Sequence, residues 1–100
     1  MDIVRVVNGR VELRRENGSL DHIIGNGEAV SAYFNANQTL IVITTKKGKV
    51  EIRKRNGALV RVIGNGDATN AYWSGNDVVI QTNRGKTELR KDNGALIRTM

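Results

Sequence analysis

The chain is 100 residues long, enough for one hydrophobic core and little more. It carries 16 lysines and arginines against 10 aspartates and glutamates, a formal net charge of +6, and it has no cysteine, which excludes a disulfide framework, a cysteine–zinc site and a thiol nucleophile. No apolar run approaches the ~20 residues of a membrane-spanning helix, and Asp2 and Arg5 interrupt the apolar N-terminus, so the expectation is a soluble, cytoplasmic domain with neither signal peptide nor membrane partner.

In chain order, short runs rich in valine, isoleucine, leucine and threonine predict eleven strands, at 3–7, 10–15, 19–24, 29–34, 40–45, 49–54, 58–63, 68–73, 78–82, 86–91 and 95–99. No window carries a sustained helical period. Six of the 11 glycines directly follow asparagine, at 8–9, 17–18, 26–27, 56–57, 65–66 and 93–94. Asn-Gly suits the two positive φ angles of a type I′ turn, so these pairs predict tight hairpins made without proline.

The strands recur as a repeat. Val11-Glu-Leu-Arg-Arg-Glu-Asn-Gly18 returns as Val50-Glu-Ile-Arg-Lys-Arg-Asn-Gly57 and as Thr87-Glu-Leu-Arg-Lys-Asp-Asn-Gly94, displaced by 39 and then 37 positions. Residues 11–27 match 50–66 at 10 of 17 positions, and 50–63 match 87–100 at 8 of 14. Ala32-Tyr33-Phe34 returns as Ala71-Tyr72-Trp73. The chain therefore divides into one repeat domain of three units, 2–27, 28–66 and 67–100. The second and third units have strands a, b, c and d; the first is truncated and lacks strand a.

Leu40-Ile41-Val42-Ile43 in strand b and Leu59-Val60-Arg61-Val62-Ile63 in strand d are apolar on both faces. In strand c, Val50 and Ile52 share one face, and Glu51 and Arg53 the other. Sheets apolar on both faces must stack face to face. This predicts that strands b and d are buried on both sides, as radially packed sheets require.

The segments Ala32-Tyr33-Phe34-Asn35, Leu40 to Thr45, Lys47-Gly48-Lys49-Val50-Glu51-Ile52-Arg53 and Asn56-Gly57-Ala58-Leu59-Val60-Arg61-Val62-Ile63 together resemble one blade of a β-propeller, in particular a tryptophan–aspartate repeat blade. Residues 67–100 repeat the pattern. The family's Trp-Asp pair stands here as Arg53-Lys54 and Arg90-Lys91, and its Gly-His as Gly64-Asn65. The resemblance implies an all-β fold of antiparallel four-stranded blades and carries no particular partner with it. Propellers usually close with four to eight blades, whereas three, four and four strands make just under three. Closure by homo-oligomerisation is expected, a dimer giving a six-bladed ring. A three-repeat β-prism and a β-trefoil are the alternatives.

Three groups of residues are candidates for function. The b–c turns hold Arg10, then Lys46, Lys47 and Lys49, then Arg84 and Lys86, beside Gly9, Gly48 and Gly85. The d–a links Gly25-Asn26-Gly27-Glu28 and Gly64-Asn65-Gly66-Asp67 lie at the same end. Cations beside exposed glycine amides can hold phosphate or carboxylate oxygens, which makes this end a candidate site for an anionic ligand or nucleic acid. The plainer reading is of solvated hairpin tips whose lysines guard sheet edges. The aromatics lie in strand a, away from the lysines, one of each adjacent pair expected in the core and the other against a neighbouring blade.

The second group is the triplicated pair Glu12/Arg14, Glu51/Arg53 and Glu88/Arg90, each on one face of strand c. The adjacent arginine would hold each acid ionised. Residues that maintain a repeat in this way read as structural charge pairs, since catalytic groups normally break one. The third is His22, matched by Arg61 and Arg98 in the other units, which points away from a metal site. Nothing selects Ser19, Ser31 or Ser74 as a nucleophile, and no helix follows the Gly-Asn-Gly links to make a phosphate loop. The sequence reads as a non-enzymatic structural or interaction module without cofactor. Anion or nucleic-acid binding is the alternative, and lectin-like carbohydrate binding a second.

Overall fold

The computed structural model describes residues 2–25 and 27–100, and its regular structure is all β. The strands are β1 (Ile3–Val7), β2 (Arg10–Arg14), β3 (Leu20–Ile24), β4 (Ala29–Phe34), β5 (Leu40–Thr45), β6 (Val50–Lys54), β7 (Leu59–Ile63), β8 (Ala68–Ser74), β9 (Asp77–Thr82), β10 (Thr87–Arg90) and β11 (Leu96–Thr99). Each begins and ends within one residue of its expected place. They form three antiparallel meanders of chain-consecutive strands. Sheet 1 is β1-β2-β3, sheet 2 is β4-β5-β6-β7, and sheet 3 is β8-β9-β10-β11.

The turns correct the sequence reading. Among the described residues, only Asn8-Gly9 has both members of the pair at positive φ, 52° and 81°, as a type I′ turn requires. At 17–18, 56–57 and 93–94 the glycine alone is left-handed, with φ of 89°, 93° and 92°. There, the Gly18 N–H donates to the Arg15 carbonyl at 2.8 Å and the Arg15 N–H to the Ser19 carbonyl at 2.9 Å, and equivalent bonds close 54–58 and 91–95. These are three-residue loops, a type I turn followed by a left-handed glycine. The cause is the asparagine side chain. Asn17, Asn56 and Asn93 Oδ1 accept the amides of Ser19, Ala58 and Ala95 at 3.0, 3.0 and 2.9 Å. That bond organises the turn around the asparagine, with the left-handed conformation left to the glycine. Asn65-Gly66 joins two sheets instead of closing a hairpin, and Asn26 lies outside the described residues.

The core is built twice, once between each pair of sheets. Val11, Leu13 and Ile24 pack with Ala29, Ala32, Ile41 and Ile43. Val42, Val50, Ile52 and Ile63 pack with Ala68, Ala71, Val78 and Ile80. The second set repeats the first, displaced by one sheet. β5 is thus buried on both faces, with Ile41 and Ile43 in one cluster and Val42 in the other. A register shift between Ala29 and Ser31, repeated between Ala68 and Asn70, accompanies the gathering of both alanines of each inner strand into one cluster.

The expected double-sided burial fails in the outer strands. In β7, Leu59 is 50% and Val62 49% exposed, and only Ile63 is buried. Contacts between sheets run through β1, β2, β4, β5 and β8, so the sheets meet at their inner strands and leave the outermost ones at the periphery. The aromatic pairs follow the same logic. Phe34 and Trp73 pack against the two clusters, while Tyr33 and Tyr72 remain exposed. It is the backbone of Tyr33 that meets the next sheet, its carbonyl accepting the Trp73 Nε1–H at 3.2 Å.

Candidate functional site

The basic end is built by the backbone. The link between β3 and β4 lies against the β1–β2 turn, where the Ala29 N–H donates to the Gly9 carbonyl at 2.8 Å. The Lys46 N–H then donates to the Glu28 carbonyl, also at 2.8 Å. One sheet on, the Ala68 N–H donates to the Gly48 carbonyl at 3.0 Å and the Asn83 N–H to the Asp67 carbonyl at 2.9 Å. Turn, link, turn, link and turn therefore form one continuous bonded line. It gathers Arg10, Lys46, Lys47, Lys49, Arg84 and Lys86, all exposed. Lys47 Nζ stands 3.8 Å from Glu28 Oε1.

Two of the three turn-glycine amides expected to face a ligand do not. Gly48 N–H donates to the Thr45 carbonyl at 3.0 Å and Gly85 N–H to that of Thr82 at 3.2 Å, each inside its own turn. A three-residue loop uses its glycine amide to close itself. Around Gly48 and Gly85 this end thus presents side-chain cations without an amide cradle to hold a phosphate tightly.

The Glu-x-Arg pairs adopt one geometry three times. Arg14, Arg53 and Arg90 Nε donate to Oε1 of Glu12, Glu51 and Glu88 at 3.0, 2.9 and 2.9 Å. The Nη1 atoms of the same arginines donate to the carbonyls of Gly18, Gly57 and Gly94 at 2.7, 2.8 and 2.8 Å. Each arginine therefore ties a buried glutamate on its own strand to the turn that ends it. Around Glu12, Arg14 and then Arg5, whose Nε is 3.0 Å away, hold the carboxyl below the usual glutamate range.

At the opposite end the sequence reading missed a cluster. Asp2 pairs with Arg55, which holds the Asp2 carboxyl below its ordinary value. Gln38 accepts the Asp2 N–H at 3.2 Å and donates to the Asp2 carbonyl at 2.9 Å. Arg55 also lies over the Phe34 ring, 5.4 Å from its centroid. Gln38 sits at φ 58° in a loop that closes with the Asn35 N–H on the Leu40 carbonyl. In sheet 3 that loop is the shorter Gly75-Asn76, with Ser74 opposite Asp77, which accounts for the unequal repeat spacing, the one sequence signal of this cluster. His22 Nδ1 lies 2.9 Å from Asp21 Oδ1, and among the described residues no three histidine, aspartate or glutamate side chains converge.

No protein-family model matches the chain, and no curated protein matches it. Among solved structures, the crystal structure of BamB from Moraxella catarrhalis, a β-propeller protein, superposes on 98% of this chain with a TM-score of 0.79. The fold is propeller-like. Sequence identity over the match is 21%, and this chain spans 32% of the length of that one. The propeller-like likeness accords with three consecutive meanders stacked face to face, and it gives no support to the β-prism or β-trefoil alternatives.

Proposed function

We propose that the chain is a non-enzymatic structural or interaction module, and that its three sheets act as two complete blades and one short blade of a ring closed by a second copy. The observation that carries this is the state of its two ends. At each internal junction a c–d turn glycine packs on the last isoleucine of the preceding sheet: a Cβ on Gly57 would lie 4.0 Å from Ile24, and one on Gly94 3.0 Å from Ile63. The next pair in the series is Met100 of sheet 3 with Gly18 of sheet 1. Met100 is 64% exposed against 5% for Ile63, and Gly18 has nothing within 4 Å of a Cβ position. The same series gives Arg61 Nη1 donating to the Asn93 carbonyl at 3.0 Å, with Arg98 and Asn17 as its unmatched halves. The two ends are complementary in kind, and point-group symmetry lets one copy satisfy another. The resemblance to tryptophan–aspartate blades supports reading β4 and β8 as inner strands and β3, β7 and β11 as outer ones.

The chain has no cysteine of its own, so a double variant Asn17→Cys, Arg98→Cys tests the junction directly. A bismaleimide long enough to span the replaced arginine side chain should give a covalent dimer with two cross-links, each joining position 17 of one copy to position 98 of the other. Monomeric product, or cross-links joining like positions, contradicts the reading.

A second reading is favoured by the gathering of six exposed cations along one bonded line: weak binding of an anionic polymer. With the Gly48 and Gly85 amides engaged in their own turns, such binding should rest on the lysines and arginines and fall steeply with salt. A labelled mixed-sequence duplex that does not bind at low salt removes this reading, and glycan binding insensitive to salt would favour the lectin-like alternative.

A further inference from the structure

Five of the six Asn-Gly pairs lie wholly within the described residues. In such a pair the asparagine side chain is open to attack by the next backbone nitrogen, because glycine puts no side chain in the way. The structure treats the five pairs differently. In three of them both reacting groups are tied. The Gly18, Gly57 and Gly94 N–H groups donate to the carbonyls of Arg15, Lys54 and Lys91 at 2.8, 2.9 and 2.9 Å, and the Asn17, Asn56 and Asn93 carboxamides are held by the amide two residues on. Asn8-Gly9 is set in its type I′ turn, with Gly9 buried and its carbonyl bonded to the Ala29 N–H at 2.8 Å. Asn65-Gly66 differs from all four. Both residues are exposed, and neither the Asn65 carboxamide nor the Gly66 N–H has a hydrogen-bond partner among the described residues.

We infer that Asn65 is a modification site, at which the chain itself converts asparagine to a mixture of aspartate and isoaspartate. The Gly66 nitrogen gives its proton to solvent and bonds to Asn65 Cγ. The Cγ–Nδ2 bond breaks, and ammonia leaves with a proton taken from solvent. Water then opens the cyclic imide. Its addition at Cγ breaks the new bond and leaves aspartate. Its addition at the Asn65 backbone carbonyl breaks the original peptide bond and leaves isoaspartate, with the main chain now running through the side chain. The net reaction consumes water and releases ammonia, and nothing is oxidised or reduced. The place of Asn65 gives the reaction a structural consequence. The Gly66 carbonyl lies hard against Gly48, the Ala68 N–H donates to the Gly48 carbonyl at 3.0 Å, and the Asp67 carbonyl accepts the Asn83 N–H at 2.9 Å. Isoaspartate lengthens the main chain by a methylene immediately before these contacts and loosens the link from both turns. Either product adds a negative charge to the bonded line that gathers the cations.

The test incubates the whole protein in mildly alkaline buffer and maps its peptides by mass spectrometry over time. Asn65 should convert about tenfold or more faster than Asn8, Asn17, Asn56 or Asn93, since each of those must first open locally, and isoaspartate should accompany aspartate. In concentrated urea the five rates should draw level, because the protection belongs to the fold. In the converted protein, amide hydrogen exchange should speed up at Ala68 and Asn83. Conversion led by any of the other four asparagines, aspartate without isoaspartate at Asn65, or a preference for Asn65 that survives in urea would each overturn the inference. Unchanged exchange at Ala68 and Asn83 would overturn the loosening of the link.

Discussion

Gly48 lies directly against the backbone of Gly66, so closely that a Cβ on Gly48 would collide with the Gly66 carbonyl oxygen. Gly9 stands in the same relation to Gly27, and Gly85, the third of the series, faces open space. All three have positive φ, between 76° and 82°. Alanine at either Gly48 or Gly85 therefore carries the left-handed backbone cost of about 1–2 kcal/mol. Only at Gly48 does a backbone clash add to it, so Gly48→Ala should lose roughly 3 kcal/mol or more in denaturant unfolding. Gly85→Ala should lose less, about the left-handed backbone cost alone. Equal losses at the two sites would contradict the stacking.

Arg53 holds two partners, Glu51 and the Gly57 carbonyl, at 2.9 and 2.8 Å. Arg53→Leu leaves a buried carboxylate and a turn carbonyl without that donor, and should cost about 2–3 kcal/mol. Adding Glu51→Leu should restore part of the loss, because a stranded charge costs more than an absent pair. A double-mutant cycle in urea measures this coupling, and strict additivity would refute it.

Stability should fall in acid, with a sign fixed by two carboxyls. Glu12 and Asp2 both titrate below their ordinary values of 4.5 and 3.8, Glu12 chiefly through Arg14 and Asp2 chiefly through Arg55. A depressed folded value contributes stability that is complete above the unfolded value and is lost as pH falls through the folded one. Their contribution to the melting temperature should thus be level from neutrality to just above 4.5 and decline below it. Glu12→Gln should reduce the slope of that decline. An unchanged slope in the variant would contradict the assignment.

Thr44 is fully buried, and its Oγ1 has no hydrogen-bond partner among the described residues. The matching position in sheet 1 is Val6, which sits opposite Val11 as Thr44 sits opposite Val50. Thr44→Val removes an unsatisfied hydroxyl and should stabilise the chain by about 1 kcal/mol. Calorimetry checks it, and a lower melting temperature would show that the hydroxyl is satisfied in solution.

The strands and their grouping were legible because Asn-Gly and Glu-x-Arg recur at nearly fixed spacing, and that spacing is a property of the chain itself. Turn type was not, because whether Asn17 or Asn56 adopts positive φ depends on its own side chain accepting an amide two residues on. The exposure of Leu59 and Val62 was not legible either. An apolar residue on each face of a strand says that both faces can be buried, not how far from the inner strands the sheets remain in contact. In the candidate sites, a spacing of two brought Glu51 to Arg53, but the Gly57 carbonyl completes that group only after the loop has closed. The basic end was legible as a collection of charges. The Gly48 and Gly85 amides were misread because a three-residue loop and a two-residue hairpin use the same glycine differently.

Light scattering across a micromolar concentration series tests the central claim most directly. The ring predicts a species of twice the 11.0 kDa chain mass, with Arg98→Glu shifting the mass towards the monomer. A mass of 11.0 kDa throughout the series, unchanged by that substitution, would contradict closure by a second copy.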